Sequence, residues 1–209
     1  MPILHAILFT IQDCGFIARI AVEDTGSSET RLDKIERIIR ESRFSIHDIS
    51  RVKSNTDSPL PRFNMPFECG LALGAIRFGH ATQKRDFLLL VGEPFQDKRT
   101  LNDLARQDSK AHQNEPKLAL NAVRAFLSAK KNASDRTRGA EAIWKRYLLF
   151  KTDLPRLVDE IEVALNEIES FDYLPDWINV VAFLASKAAE KIEKIVPHSS
   201  NLFSKPNQH

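Results

Sequence analysis

The residues able to do chemistry gather in two short stretches, Ser45-Ile46-His47-Asp48-Ile49-Ser50 and Arg62-Phe63-Asn64-Met65-Pro66-Phe67-Glu68-Cys69-Gly70. The first reads as a strand ending in polar groups. The second reads as a helix start, because Pro66 suits a first helical turn and Asn64 or Met65 lies near the cap. If strand end and helix start meet, Asp48, Ser50, Asn64 and Glu68 surround one crevice, and the unpaired N–H groups of the helix start face a phosphate or ribose oxygen. Carboxylates so placed stabilise or capture a developing cation, and arginines such as Arg19, Arg51 and Arg62 are suited to pairing with a phosphate. Each has a plainer reading: Glu68 complements the helix dipole by ~0.3–1 kcal/mol without any substrate, Asp48 bonds loop amides, and the arginines form surface ion pairs.

Other chemistries lack their patterns. The histidines at 5, 47, 80, 112, 198 and 209 show no paired metal-ligand spacing, so no metal site is expected. A phosphate loop of the Gly-x-x-x-x-Gly-Lys type and a Gly-x-Gly-x-x-Gly turn are both missing, and no cofactor is implied. Cys69 reads as a small buried residue, and His47 points to the strand face opposite Asp48.

The elements that must position these groups alternate. Ile3 to Ile11 is an apolar run closed by Gln12-Asp13-Cys14-Gly15 and reads as a first buried strand. Arg31 to Arg43 places Leu32, Ile35, Ile38 and Ile39 on one helical face. Phe44 to Ser50 is the next strand. A proline-bearing loop from Arg51 to Asn64 leads to the helix carrying Phe67, Leu71, Leu73 and Ile76, and Phe87 to Val91 forms a further strand. This alternation predicts an α/β fold with a mostly parallel, Rossmann- or flavodoxin-like sheet and flanking helices, binding ligands beyond its carboxyl strand ends. Beyond Gly92 the spacing is helical throughout: Pro116 to Ala129, Gly139 to Phe150, a helix capped by Asp153 and running to Ile168, and Trp177 to Ile195. The expected organisation is an α/β domain over 1–130, a helical C-terminal region over 137–197, packed on the sheet or used for self-association, and a loose tail over 198–209.

The 209 residues are 43% hydrophobic and 28% charged with a net charge of +2, values of an ordinary globular chain. Basic and acidic residues are interspersed, so nucleic-acid binding is not indicated. No uncharged stretch approaches the ~20 residues of a spanning helix, no secretory signal opens the chain, and two cysteines fit a reducing compartment. A soluble, cytoplasmic protein is expected.

Asp48-Ile49-Ser50 and Asn64-Met65-Pro66-Phe67-Glu68-Cys69-Gly70 resemble the nucleoside 2-deoxyribosyltransferase-like proteins and their TIR-like relatives. There a strand ending in Asp-Leu/Ile-Ser leads through a loop to Asn-Pro-Asn-Val-x-Tyr-Glu-Leu-Gly at a helix start. Cys14-Gly15-Phe16, Arg19, His47 to Arg51 and Pro61 to Glu68 look like an uncharacterised bacterial branch of that group, over roughly residues 3 to 127. This chain departs in its longer loop before Asn64 and in Pro66-Phe67 ahead of the Glu. The resemblance implies cleavage or transfer at an N-glycosidic bond of a nucleoside, nucleotide or NAD-like molecule. Glu68 would be nucleophile or partner of the ribose hydroxyls, Asp48 would contact base or sugar, and Asn64 would orient them. A role in bacterial stress or phage defence follows from the resemblance alone, with a defence-system partner protein or a homo-oligomer as associates. The competing reading is a non-catalytic module that senses a nucleotide signal or binds a protein, and oligomerises through its C-terminal helices.

Overall fold

The computed structural model describes residues 1–22, 29–52, 63–79, 84–101, 108–131, 137–160 and 162–183. Its first element corrects the expected first strand. Residues Pro2–Asp13 form a helix, α1, with Pro2 in the first turn and His5 through Thr10 all buried. A run apolar on every side has no period, so it fits a fully enclosed helix as well as a two-faced strand. The turn signal at its end is real but belongs to a helix: the Gly15 amide donates to the Gln12 carbonyl (2.8 Å) and the Phe16 amide to the Ile11 carbonyl (3.0 Å). Gly15 sits at φ 77°, a left-handed closure that glycine takes without steric cost.

Helix α2 (Arg31–Glu41) starts where Thr30 and Asp33 exchange capping bonds, an arrangement that satisfies otherwise unpaired N–H groups. Strand β1 (Phe44–Asp48), helix α3 (Asn64–Phe78) and strand β2 (Asp86–Val91) follow where strand, helix and strand are expected, β1 ending two residues short of Ser50. The stretch after Gly92 is not wholly helical. A five-residue helix α4 (Gln96–Thr100) is followed by a two-residue strand β3 (Lys110–Ala111), then α5 (Pro116–Ser128). Two residues are too few to carry a periodic signal.

The three strands lie in the order β1-β2-β3, and both pairs are parallel. Ile46 opposes Leu88, and Leu90 opposes Lys110. One sheet face, with Leu88 and Leu90, belongs to an apolar cluster shared with α1, α5 and the C-terminal helices. The other, with Ile49, Phe87, Leu89 and Val91, packs against Cys69, Met65, Leu73 and Ile76 of α3. The protein is thus a mixed α/β structure in layers, with a small parallel sheet.

The C-terminal region differs in its divisions. The two helices expected around Phe150 are one, α6 (Ala140–Glu160), which runs through Pro155. An internal proline costs about 3 kcal/mol, but Leu154, Leu157 and Val158 beside it are buried, and that burial offsets the lost bond. Asp153 is an exposed mid-helix residue and caps nothing. A short α7 (Leu165–Ile168) follows, and residues 174–183 are helical again. The rest of the last expected helix and the tail lie outside the described residues. Ile143, Tyr147, Leu154, Ile168, Trp177 and Val181 share one apolar cluster with Ala6, Leu8 and Leu120, so this region packs onto α1 and α5.

A buried charge locks that packing. The Asp13 side chain is 2% exposed, with Arg146 Nε 2.6 Å and Arg138 3.7 Å away. Arg146→Ala leaves the carboxylate enclosed with a weaker partner and should cost about 3 kcal/mol. Asp13→Asn, which leaves only the part-exposed arginine to rehydrate, should cost less. Urea denaturation of the two variants measures the asymmetry, and equal losses would contradict it.

Candidate functional site

Because the strands are parallel, their carboxyl ends meet at one edge, the usual ligand side of such sheets. The ladder continues past the strands: the Ile49 amide donates to Leu90, His112 to Val91 and Gln113 to Gly92, each at 2.9 Å. Asp48, Ser50, Gly92, Gln96 and His112 therefore converge at this edge.

Asp48 is held from two sides. The Ser50 amide donates to its Oδ1 at 2.9 Å, and His112 Nε2 lies 3.3 Å from the same oxygen. The His112 ring is 1% exposed while Asp48 is 29% exposed. The Asn114 amide donates to His112 Nδ1 at 3.0 Å, so in the neutral ring the proton sits on Nε2 and points at the carboxylate. Burial pushes the Asp48 carboxyl up, and the bonds from His112 and from the Ser50 amide and hydroxyl outweigh it, holding the acid below its ordinary value. The result is an ionised, oriented carboxylate that still reaches solvent.

Gln96 ties the strand ends together. Its Oε1 accepts from the Gly92 amide (2.8 Å) and the Glu93 amide (3.2 Å), and its Nε2 donates to the Ser50 carbonyl (3.1 Å). Gly92 suits this approach: a Cβ there would stand 3.2 Å from Gln96 Oε1 and 3.3 Å from Ser50 Cβ, so these neighbours would have to give way by a few tenths of an ångström. The backbone around the edge is also strained. Four described non-glycine residues have positive φ, and three of them, Phe95, Gln113 and Asn114, follow β2 and β3. Strain gathered at one edge is a signal of function. Beside it, Asp97 is 1% exposed, and its Oδ1 has no hydrogen-bond partner among the described residues.

The residues singled out in the sequence are placed as follows. Asp48 and Ser50 are bonded to each other. Glu68 is on α3, its side chain 16% exposed and 3.8 Å from Arg31 of α2. Burial raises its carboxyl above the ordinary value and Arg31 pulls it back. Asn64 is exposed in the first turn of α3, which has no side-chain cap. Among the described residues, no hydrogen bond joins Glu68 or Asn64 to Asp48. Arg19 pairs with Glu41 at 3.1 Å, and Arg51 is exposed, its charge acting on the Met1 amino group. Arg62 lies outside the described residues. His47 points to the face opposite Asp48, packing on Phe87, as the strand period requires.

His112 and Gln96 were not legible as site residues. Their one local signal is Asn114, a residue type that tolerates the left-handed region. Both cysteines are buried, and burial pushes each thiol up to about 11, which makes them poor nucleophiles. No group of three or more His, Cys, Asp or Glu among the described residues is placed to hold a metal. A cavity of about 20 Å³ lies near the amino ends of the strands, lined by Ile39, Ala72, Ile76 and Arg85. That is room for a water, not a substrate. No helix among the described residues is long and apolar enough to cross a membrane.

Compared with family models, curated proteins and solved structures, the chain matches none.

Proposed function

We propose that this protein binds a nucleoside, nucleotide or NAD-like molecule at the carboxyl edge of its sheet and cleaves or transfers at the N-glycosidic bond. The observation that carries the reading is the Asp48 carboxylate, kept ionised and aimed by His112 and Ser50 where the three strand ends converge. When a base leaves a sugar, C1′ takes on oxocarbenium character, and a fixed anion nearby stabilises that charge without reorganising. A carboxylate is also the natural acceptor for sugar hydroxyls. Glu68, its side chain largely enclosed and raised towards its neutral form, is the second carboxyl group of this reading. Two acids with environments that push them apart can divide the work: Asp48 is the fixed anion, and Glu68 in its neutral form gives its proton to the leaving base while water or an incoming base bonds to C1′.

The test is base release from nucleosides, nucleotides and NAD, read by chromatography. Glu68→Gln keeps the shape and hydrogen bonding of the side chain, and turnover should fall at least about 100-fold. An inactive wild-type protein across the panel would defeat the enzymatic reading.

A second reading, a sensor or interaction module working through the C-terminal helices, has one observation in its favour. Leu148, Leu149, Leu165, Phe171 and Phe183 are each 39–65% exposed on this region, and exposed apolar side chains of this kind are what a partner or a second copy would cover. Light scattering of the purified protein separates a monomer from a self-associated form.

A further inference from the structure

Phe95 is an expensive residue for its position. It sits in the turn between β2 and α4 at φ 62°, in the left-handed region that a Cβ disfavours and that aromatic residues rarely adopt. The conformation is imposed from outside, since Gln96 is anchored to Gly92, Glu93 and Ser50. Core packing does not compensate, because the residue is 61% exposed. Phe78 is more exposed still, at 88%, but it lies at the end of α3, away from the carboxyl edge, with ordinary helical backbone.

Phe95 adjoins the site already described through its neighbour in the chain. The next residue, Gln96, bonds the carbonyl of Ser50, and Ser50 bonds Asp48. The Lys98 ammonium stands 4.8 Å from the Phe95 ring centroid, which holds the ring against one side by cation–π attraction and brings a cation to the same edge. Together these are a flat apolar surface, a positive charge and an ionised carboxylate along the ends of adjacent strands.

We infer that Phe95 is the platform on which the base of a nucleotide stacks, with Asp48 facing the sugar and Lys98 beside the phosphate. This rests on the reading of the carboxyl edge as a nucleotide site and names the part of it that recognises the base. Stacking is tolerant of base identity because every base has a π face, so Phe95 confers affinity for nucleotides as a class. The strain is the counterpart: glycine or asparagine would suit the backbone better and offer no ring.

Calorimetric titration with AMP, GMP, CMP, UMP, NAD and, as the probe lacking a base, ribose 5-phosphate tests this. For the nucleotide bound best by the wild-type protein, Phe95→Gly should weaken binding about tenfold, and Phe95→Trp should stay within about threefold. Affinity for ribose 5-phosphate should not change. The melting temperature of Phe95→Gly should equal or exceed that of the wild type, since the left-handed strain is relieved, and Phe95→Asn provides a second ring-free variant should the glycine fold poorly. Nucleotide affinity within twofold of wild type in both ring-free variants overturns the inference and leaves the site reading standing. A wild-type protein that binds none of the probes overturns both.

Discussion

Asp48→Asn is expected to lower base release about 1,000-fold, roughly 4 kcal/mol of transition-state stabilisation, with little change in fold. The asparagine oxygen still accepts from the Ser50 amide and from His112, which donate to Oδ1 at 2.9 and 3.3 Å, so the strand ends remain tied. Only the charge is lost. Stability should stay within about 1 kcal/mol of wild type, whereas Asp48→Ala removes the acceptor and strands the buried His112 N–H, at a cost of about 1–3 kcal/mol. Steady-state kinetics with circular dichroism separates the two effects. Activity of Asp48→Asn within tenfold of wild type would remove Asp48 from the reaction.

The second large effect is on stability in mild acid. His5 is stacked on Trp177 with ring centroids 4.6 Å apart, and its Nε2 is buried without a hydrogen-bond partner. His47 has Ser45 Oγ 3.0 Å from Nε2 and an unpartnered Nδ1. Burial, helped at His5 by the Lys151 ammonium, pushes both down to about 4 from an ordinary 6.5. Above pH 6.5 neither the folded nor the unfolded chain binds these protons, and stability is independent of them. Between 6.5 and 4 the unfolded chain takes them up and the folded chain does not, so stability falls as pH drops through that window. By pH 5 the loss should be about 2 kcal/mol for each histidine. Asp48 adds a loss further down: its folded value is depressed, and its contribution disappears as pH falls through that value.

Urea midpoints at pH 7.5, 6 and 5 measure this directly. His5→Phe keeps the stack on Trp177 while removing the proton acceptor, so about half of the acid sensitivity should disappear. Equal stability at pH 7.5 and 5 would show that burial does not hold these two rings neutral in the folded chain.

The local elements were legible wherever their residues repeat with a clear period. Leu32, Ile35, Ile38 and Ile39 announce α2, and Pro66 with the apolar positions after it announces α3; β2 is read instead from a short continuous apolar run, too short for a helix of ordinary length. The polar end of β1 was equally plain, because Asp48 and Ser50 bond across two positions.

What failed had no local signature. Residues 3–11 are apolar all round, and only the enclosing α5 and α6 make them a helix. Strand β3 is defined by its pairing with β2, and Pro155 stays helical because the residues flanking it are buried. The site itself divides the same way. The order of residues sets which carboxylates, amides and backbone periods are on hand. Folding selects which of them meet: His112 reaches Asp48 across 64 positions, and Glu68 is engaged by Arg31 of a preceding helix. Periodicity is a property of neighbours along the chain, and an oriented charge is a property of neighbours in space.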